Sequence, residues 1–162
     1  MSNTENIKQL RNQTGAGVMD AKKALEEANN DFEKAKEILK EKGIANAEKR
    51  AHRATDQGII ESYIHQGNRL GTIIEINCET DFVARTNEFK ELAKNLAMQI
   101  TAMNPKNIDG KDDDSLMNQP FIKESSKLIK ELVQEVIAQT GENIQIKRFQ
   151  RFEIGEVDNE QE

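Results

Sequence analysis

The chain has 162 residues, enough for one moderate domain or two small ones. With 36% hydrophobic and 32% charged residues, its cores must be small and its surface well solvated. A formal net charge of -6 argues against wholesale nucleic-acid binding, which needs a concentrated cationic face.

The single cysteine, Cys78, excludes an intrachain disulfide framework or a cysteine zinc cluster and fits a buried reduced thiol in a reducing interior. The N-terminus carries a polar helix signal rather than an apolar leader, and no apolar run approaches the length of a membrane span. The expectation is a soluble chain that is not exported.

Asn3 and Thr4 offer caps for a first short helix with Ile7 and Leu10 on one face. Gly15 and Gly17 then permit a sharp reversal. A second helix from Val18 repeats Ala21, Ala24, Leu25 and Ala28 at helical spacing and ends at Asn29-Asn30. Asp31 caps a third, with Phe32, Ala35, Ile38 and Leu39 inward, and Gly43 either stops it or lies within a helix that continues beyond. So few large apolar residues make a domain over 1–45 that is marginal by itself. Val18 and Met19 follow the glycines at a helix start, where exposure would make them contacts; the alternative for Met19 is a flexible core filler.

Residues 46–57 carry Lys49, Arg50, His52 and Arg53 with little apolar content and read as a basic, solvated linker and hinge. Strand signals follow. Ile60, Ser62 and Ile64 share one face, while Ile59, Glu61, Tyr63 and His65 share the other. After a turn at Gln66-Gly67-Asn68-Arg69, Leu70, Thr72, Ile74, Ile76 and Cys78 alternate with Gly71, Ile73, Glu75 and Asn77, giving an antiparallel hairpin.

The stretch Asn77-Cys78-Glu79-Thr80-Asp81-Phe82-Val83-Ala84 leads from this hairpin into a helix over 87–103, capped by Thr86 or Asn87. Phe89, Leu92, Ala93, Leu96, Ala97, Ile100 and Met103 form its apolar stripe. Asp81 and Phe82 lie on the strand-to-helix turn, so Phe82 is either the first core residue of the helix or a side chain held out toward a partner.

The aspartate-rich loop at 109–114 lacks the ligand pattern of a calcium-binding hand and reads as solvated. A further helix over 126–139 presents Leu128, Ile129, Leu132, Val133, Val136 and Ile137 and stops at Gly141. Ile144, Ile146, Phe152 and Ile154 alternate through a last strand, and the tail 156–162 is acidic and expected to be disordered. The fold class is α+β: a three-helix N-terminal domain, then a three-stranded antiparallel sheet packed with helices over 58–155. No nucleophile–base pair, phosphate loop or metal motif emerges, and His52 and His65 join no catalytic constellation.

Two runs carry a family resemblance. Asn77 to Ala84, with Thr86, Glu88 and Phe89, and Leu10-Arg11 followed by Thr14 to Leu25, resemble the two signatures of the translation elongation factor Ts family, in order and within a likeness spanning residues 7–155. Longer members duplicate the core module, whereas this chain has one and resembles the short form. The resemblance implies a ubiquitin-associated-like N-terminal domain. It also implies a guanine nucleotide exchange factor that binds elongation factor Tu, GDP-bound or nucleotide-free, without covalent chemistry or a cofactor of its own. Thr80, Asp81, Phe82 and Val83 would disturb the partner's magnesium and phosphate site, and Leu10, Arg11, Val18 and Met19 would dock. A bacterial cytoplasm or a plastid stroma would house it.

A sheet covered on one side leaves Ile59, Tyr63, Ile73 and Phe149 as apolar residues on its alternate faces, which suggests a homodimer replacing the missing module. Direct nucleic-acid or membrane binding is not expected. The competing readings are a generic protein-binding module and an RNA-binding translation accessory using Lys49, Arg50, Arg53, Lys147, Arg148 and Arg151.

Overall fold

The structure is a computed structural model that describes residues 3–156 and, of Asn3, the backbone alone. The expected Asn3 cap and the acidic tail past Glu156 lie outside the described residues. Helices α1 (Asn3–Thr14), α2 (Val18–Glu27) and α3 (Phe32–Arg50) come first. Gly15 reverses the chain at φ 67, and Asn29 and Asn30 do so at φ 52 and 62, values that asparagine tolerates better than most side chains. Asp31 caps α3 by accepting the Lys34 N–H at 3.1 Å. Leu10, Leu25 and Leu39 close over Ala21, Ala24, Ala28 and Ala35, whose small side chains let three short helices approach closely.

α3 does not stop at Gly43. It runs seven residues further to Arg50, so the expected boundary between domain and linker falls inside a helix. A Cβ on Gly43 would lie 3.8 Å from that of Ala138, so the glycine marks a helix crossing rather than an end. Ala35 and Leu39 belong to the N-terminal core and Ala47 to the larger one, so a single helix joins both.

The segment read as a solvated hinge is also tied down beyond the helix. Asn143 Nδ2 donates to the carbonyls of Ala51 (3.3 Å) and Arg53 (2.8 Å), and Asn77 Nδ2 to that of Thr55 (3.1 Å). A buried Thr55 donates its hydroxyl to Gln145.

The rest of the chain runs β1 (Gln57–Ile64), β2 (Leu70–Cys78), α4 (Asp81–Ala84), α5 (Asn87–Met103), β3 (Pro120–Phe121), β4 (Glu124–Leu128), α6 (Ile129–Thr140) and β5 (Ile144–Glu153). The main sheet is antiparallel in the order β1-β2-β5, and α5 covers one face of its β1–β2 hairpin. Phe89, Leu92, Leu96 and Ile100 of α5 pack on Ile74 and Ile76, each contributing about 1.5–3 kcal/mol on burial. α6 lies between α5 and α3.

The small hairpin β3–β4 replaces the first turn expected of the last helix, which begins at Ile129 rather than residue 126. It is held by a buried Gln99 of α5, whose amide nitrogen donates to Gln119 and to the Pro120 carbonyl and whose oxygen accepts the Ile122 N–H. This polar partner is remote in sequence, so periodicity over 126–139 alone could not reveal the break.

A bulge overturns half of the expected alternation in β5. Glu75 pairs with Arg148 but Ile76 pairs with Ile146, leaving Lys147 as the extra residue. One extra residue exchanges the faces of everything after it. Ile144 and Ile146 face the core, but past the bulge Phe149 and Arg151 take that side, while Phe152 is exposed. Ile59 and Tyr63 pack on the core as well. Of the four residues expected to form an uncovered apolar face, only Ile73 is exposed; its companions are Ile60, Ile64, Phe152 and Ile154.

Candidate functional site

The segment after β2 is built so that one apolar side chain is excluded from the core. Cys78 ends β2 fully buried, and its thiol donates to the Thr80 carbonyl at 3.1 Å. Burial first, and the nearby Glu142 carboxylate second, push that thiol up to about 11. Thr80 is in extended conformation and caps α4 by accepting the Val83 N–H at 3.4 Å.

The helix is only four residues long, and its last two, Val83 and Ala84, are buried. Since successive helical side chains are rotated by about 100°, anchoring those two turns Phe82 outward, where it is 81% exposed. Asp81 is half-exposed and pairs with Arg85 at 3.0 Å. Phe82 is therefore not the first core residue of the following helix. That role belongs to Phe89, whose N–H is accepted by the cap Thr86.

The turn is clamped from across the molecule. The Glu142 carboxylate accepts the backbone N–H groups of Glu79 (3.1 Å) and Thr80 (2.9 Å) and the Thr80 hydroxyl (2.6 Å). In return Glu79 accepts the Asn143 N–H at 2.7 Å and an ion pair from Arg53 at 3.4 Å. Glu79, Glu142 and Asn143 escaped sequence reasoning because the two segments lie more than 60 positions apart and Gly141 reads only as a helix stop, which it also is, at φ 75.

In the N-terminal helices, Val18 and Met19 open α2 and are 50% and 60% exposed, so neither fills the core. Arg11 is exposed on the last turn of α1. Leu10, expected beside it as a contact, is fully buried among the three helices and supports the surface without belonging to it.

The turn between α1 and α2 rests on α6: Gly15 lies so near Gln139 that a Cβ there would come within 2.3 Å of its side chain. One crevice is lined by Gly15, Gln139 and Thr140 together with Val83, Thr86 and Glu88. The C-terminal end of α6 thus brings the Gly15 turn and the Phe82 segment together.

Among the described residues no group of three or more histidine, cysteine, aspartate or glutamate side chains is placed to hold a metal, and no helix is long and apolar enough to cross a membrane. An arrangement of exposed apolar side chains at helix starts is suited to protein contact.

Comparison with known proteins agrees with the two sequence signatures. The model of the family described as Elongation factor TS matches residues 2–117 and 79–160. "Elongation factor Ts, chloroplastic" of Guillardia theta is 48% identical over 191 residues, covering 93% of this chain and 87% of the relative. "Elongation factor Ts" of Thermotoga sp. (strain RQ2) is 47% identical, covering 93% and 94%. That of Carboxydothermus hydrogenoformans is 43% identical, covering 96% and 90%.

Proposed function

The chain belongs to the elongation factor Ts family, a family of translation elongation factors, and we propose that it acts as a guanine nucleotide exchange factor for elongation factor Tu, speeding release of GDP without forming or breaking a covalent bond. The observation that carries this reading is Phe82, an exposed aromatic on a four-residue helix anchored by its buried neighbours. Such a side chain enters a partner with little loss of conformational freedom, because its backbone is already fixed.

In this mechanism Val18, Met19 and Arg11 dock on the nucleotide-binding domain of the partner while Phe82 and Asp81 press against its magnesium and phosphate site. Thr80 and Val83 hold the helix that carries them. Displacing the groups that hold the ion removes the charge that compensates the nucleotide phosphates. By linkage, nucleotide and exchange factor must then weaken each other's binding equally.

A thousandfold acceleration corresponds to roughly 4 kcal/mol off the barrier, whereas burying one phenylalanine contributes about 1.5–3 kcal/mol. Docking energy from the N-terminal helices is therefore part of the mechanism. The crevice beside Gly15 supports this, since it places the two contact elements against one end of α6.

The second partner we propose is another copy of this chain. Ile60, Ile64, Ile73, Phe152 and Ile154 are the exposed large apolar residues of the uncovered sheet and its end. On the same face, Glu75 and Arg148 neutralise each other at 2.8 Å, so these two charges do not oppose the pairing of two such faces.

The RNA-binding alternative loses three of its six cations to ion pairs: Arg53 with Glu79, Arg148 with Glu75, and Arg151 with Glu153 and Glu156. The relatives include a chloroplast protein, which fits either a bacterial cytoplasm or a plastid stroma as the place of action.

The test is the release rate of a fluorescent GDP analogue from elongation factor Tu with and without this protein, and with its Phe82→Ala variant. Acceleration that falls about 10- to 100-fold in the variant supports the reading. No acceleration by the native chain would leave a binding module with the family's shape.

A further inference from the structure

We propose that Glu142, which no signature of the chain includes, is a positioning residue for exchange: through the Thr80 hydroxyl it fixes the helix that presents Phe82. The inference rests on the exchange reading above. A helix of four residues cannot set its own direction, because nucleation is unfavourable and few internal hydrogen bonds form. Its orientation has to come from its ends. At the C-terminal end Thr86 donates its hydroxyl to the Val83 carbonyl at 2.8 Å. At the N-terminal end the support is Glu142.

The relay has a defined polarity. Glu142 Oε2 accepts the backbone N–H groups of Glu79 and Thr80, and Oε1 accepts the proton of the Thr80 hydroxyl at 2.6 Å. A hydroxyl has one proton and two lone pairs. With the proton committed to Glu142, its lone pairs are left for the Val83 N–H, which it accepts at 3.4 Å.

Glu142 follows Gly141, the left-handed end of α6, and its own N–H donates to the Thr140 hydroxyl, so it is held by the core rather than by the loop it braces. The reciprocal bond from the Asn143 N–H to Glu79 ties the same two segments a second time. Phe82 is 81% exposed, so its direction follows from the backbone it stands on.

This arrangement separates two quantities. Docking through Val18 and Met19 sets how much protein is needed for half-maximal exchange, while the attitude of Phe82 sets the rate once the complex has formed. Loss of a charge-assisted bond of about 1.5–3 kcal/mol corresponds to roughly a 10- to 100-fold fall in rate if it acts wholly on the exchange step.

The experiment measures GDP release from elongation factor Tu over a concentration series of native chain, Phe82→Ala, Glu142→Ala, Glu142→Gln, Thr80→Val and the double variant Glu142→Ala/Thr80→Val. The expected result is a saturating rate at least about tenfold lower for Glu142→Ala, with the half-saturating concentration within about threefold of native. Glu142→Gln keeps an acceptor for the two N–H groups and recovers part of the rate. The double variant loses less than the sum of the two single losses, because one bond of Glu142 is made to the hydroxyl that Thr80→Val removes.

A native saturating rate in folded Glu142→Ala, or additive losses in the double variant, overturns the proposal. If Glu142→Ala does not fold, Glu142→Asp, whose carboxylate is withdrawn by one methylene, takes its place with the same two outcomes. Native acceleration that Phe82→Ala lowers and Glu142→Ala leaves intact defeats this inference alone. Absence of acceleration by the native chain defeats the exchange reading and this inference together.

Discussion

Lys40 of α3 and Glu131 of α6 meet at 2.5 Å across the junction between the N-terminal helices and the core. Glu131 is mostly shielded and also accepts the Leu128 N–H at 2.9 Å, bracing the start of α6. The Lys40 hydrogen bond first, and that backbone N–H second, hold its carboxyl below the ordinary value of 4.5.

A carboxyl depressed in the folded state adds stability that is complete above its ordinary value and is lost as pH falls through the lower folded one. Thermal unfolding followed from neutral pH to below 4.5 should therefore show an acid decline that Lys40→Met makes shallower. The change should be small, within about 1 kcal/mol, since Lys40 is largely exposed. Identical acid limbs for native and variant would show that the pair does not stabilise the junction.

Phe82→Ala should lower the saturating rate of GDP release about 10- to 100-fold, the equivalent of about 1.5–3 kcal/mol, while leaving binding measurable. Val18→Asp or Met19→Asp should instead raise the half-saturating concentration about tenfold or more, by placing a charge where apolar surface is to be buried. Titrations at a series of concentrations separate the two effects. A Phe82→Ala variant with native saturating rate would remove the wedge role.

Cys78 should resist alkylation by iodoacetamide at pH 8 in the folded protein and react on unfolding, because only the thiolate attacks and the thiol is both buried and pushed up to about 11. The folded thiol keeps its proton where the unfolded one, at its ordinary value of 9.0, has lost it. Its contribution to stability is thus whole below pH 9 and is lost as pH rises through about 11. Mass spectrometry of alkylated protein along a urea titration reads this directly, and rapid labelling without denaturant would contradict it.

Gly43→Ala should raise stability by about 0.5–1 kcal/mol, because the position is helical, its φ is not left-handed and the added methyl meets only Ala138 at ordinary contact distance. Urea midpoints compared at equal slope test it. A loss of stability would show that the α3–α6 crossing has no room for the methyl.

Ile73→Asp should leave the fold intact, since the side chain is exposed, while abolishing self-association through the outer sheet face. Sedimentation at micromolar concentration distinguishes the states. A native chain that is monomeric there removes the paired-sheet proposal, and an undiminished dimer in the variant moves the interface elsewhere.

Local pattern was enough to fix much of this protein. Apolar spacing marked α5 from Asn87 to Met103, Asp31 declared the cap of α3, the choice for α5 narrowed to Thr86 or Asn87, of which Thr86 is the cap, and Gly67-Asn68 announced the hairpin turn. The signatures at 10–25 and 77–89 identified the family because they are contiguous runs that survive without any knowledge of tertiary contacts.

What escaped was decided by residues distant in sequence. The bulge at Lys147 is a matter of register between β2 and β5, and it moved Phe149 inward and Phe152 outward. Gly43 carries the same residue type whether it ends a helix or lies at a crossing with α6, and only the packing partner distinguishes the two. Phe82 could be read as core or contact until Val83 and Ala84 were seen to fill the core in its place. The Glu142 clamp joins segments 62 positions apart, and no periodicity or spacing carries information across that gap. Short-range sterics and hydrophobic period are written in the chain itself, whereas the facing of a strand or the brace of a turn exists only once a remote segment supplies the other half of the contact.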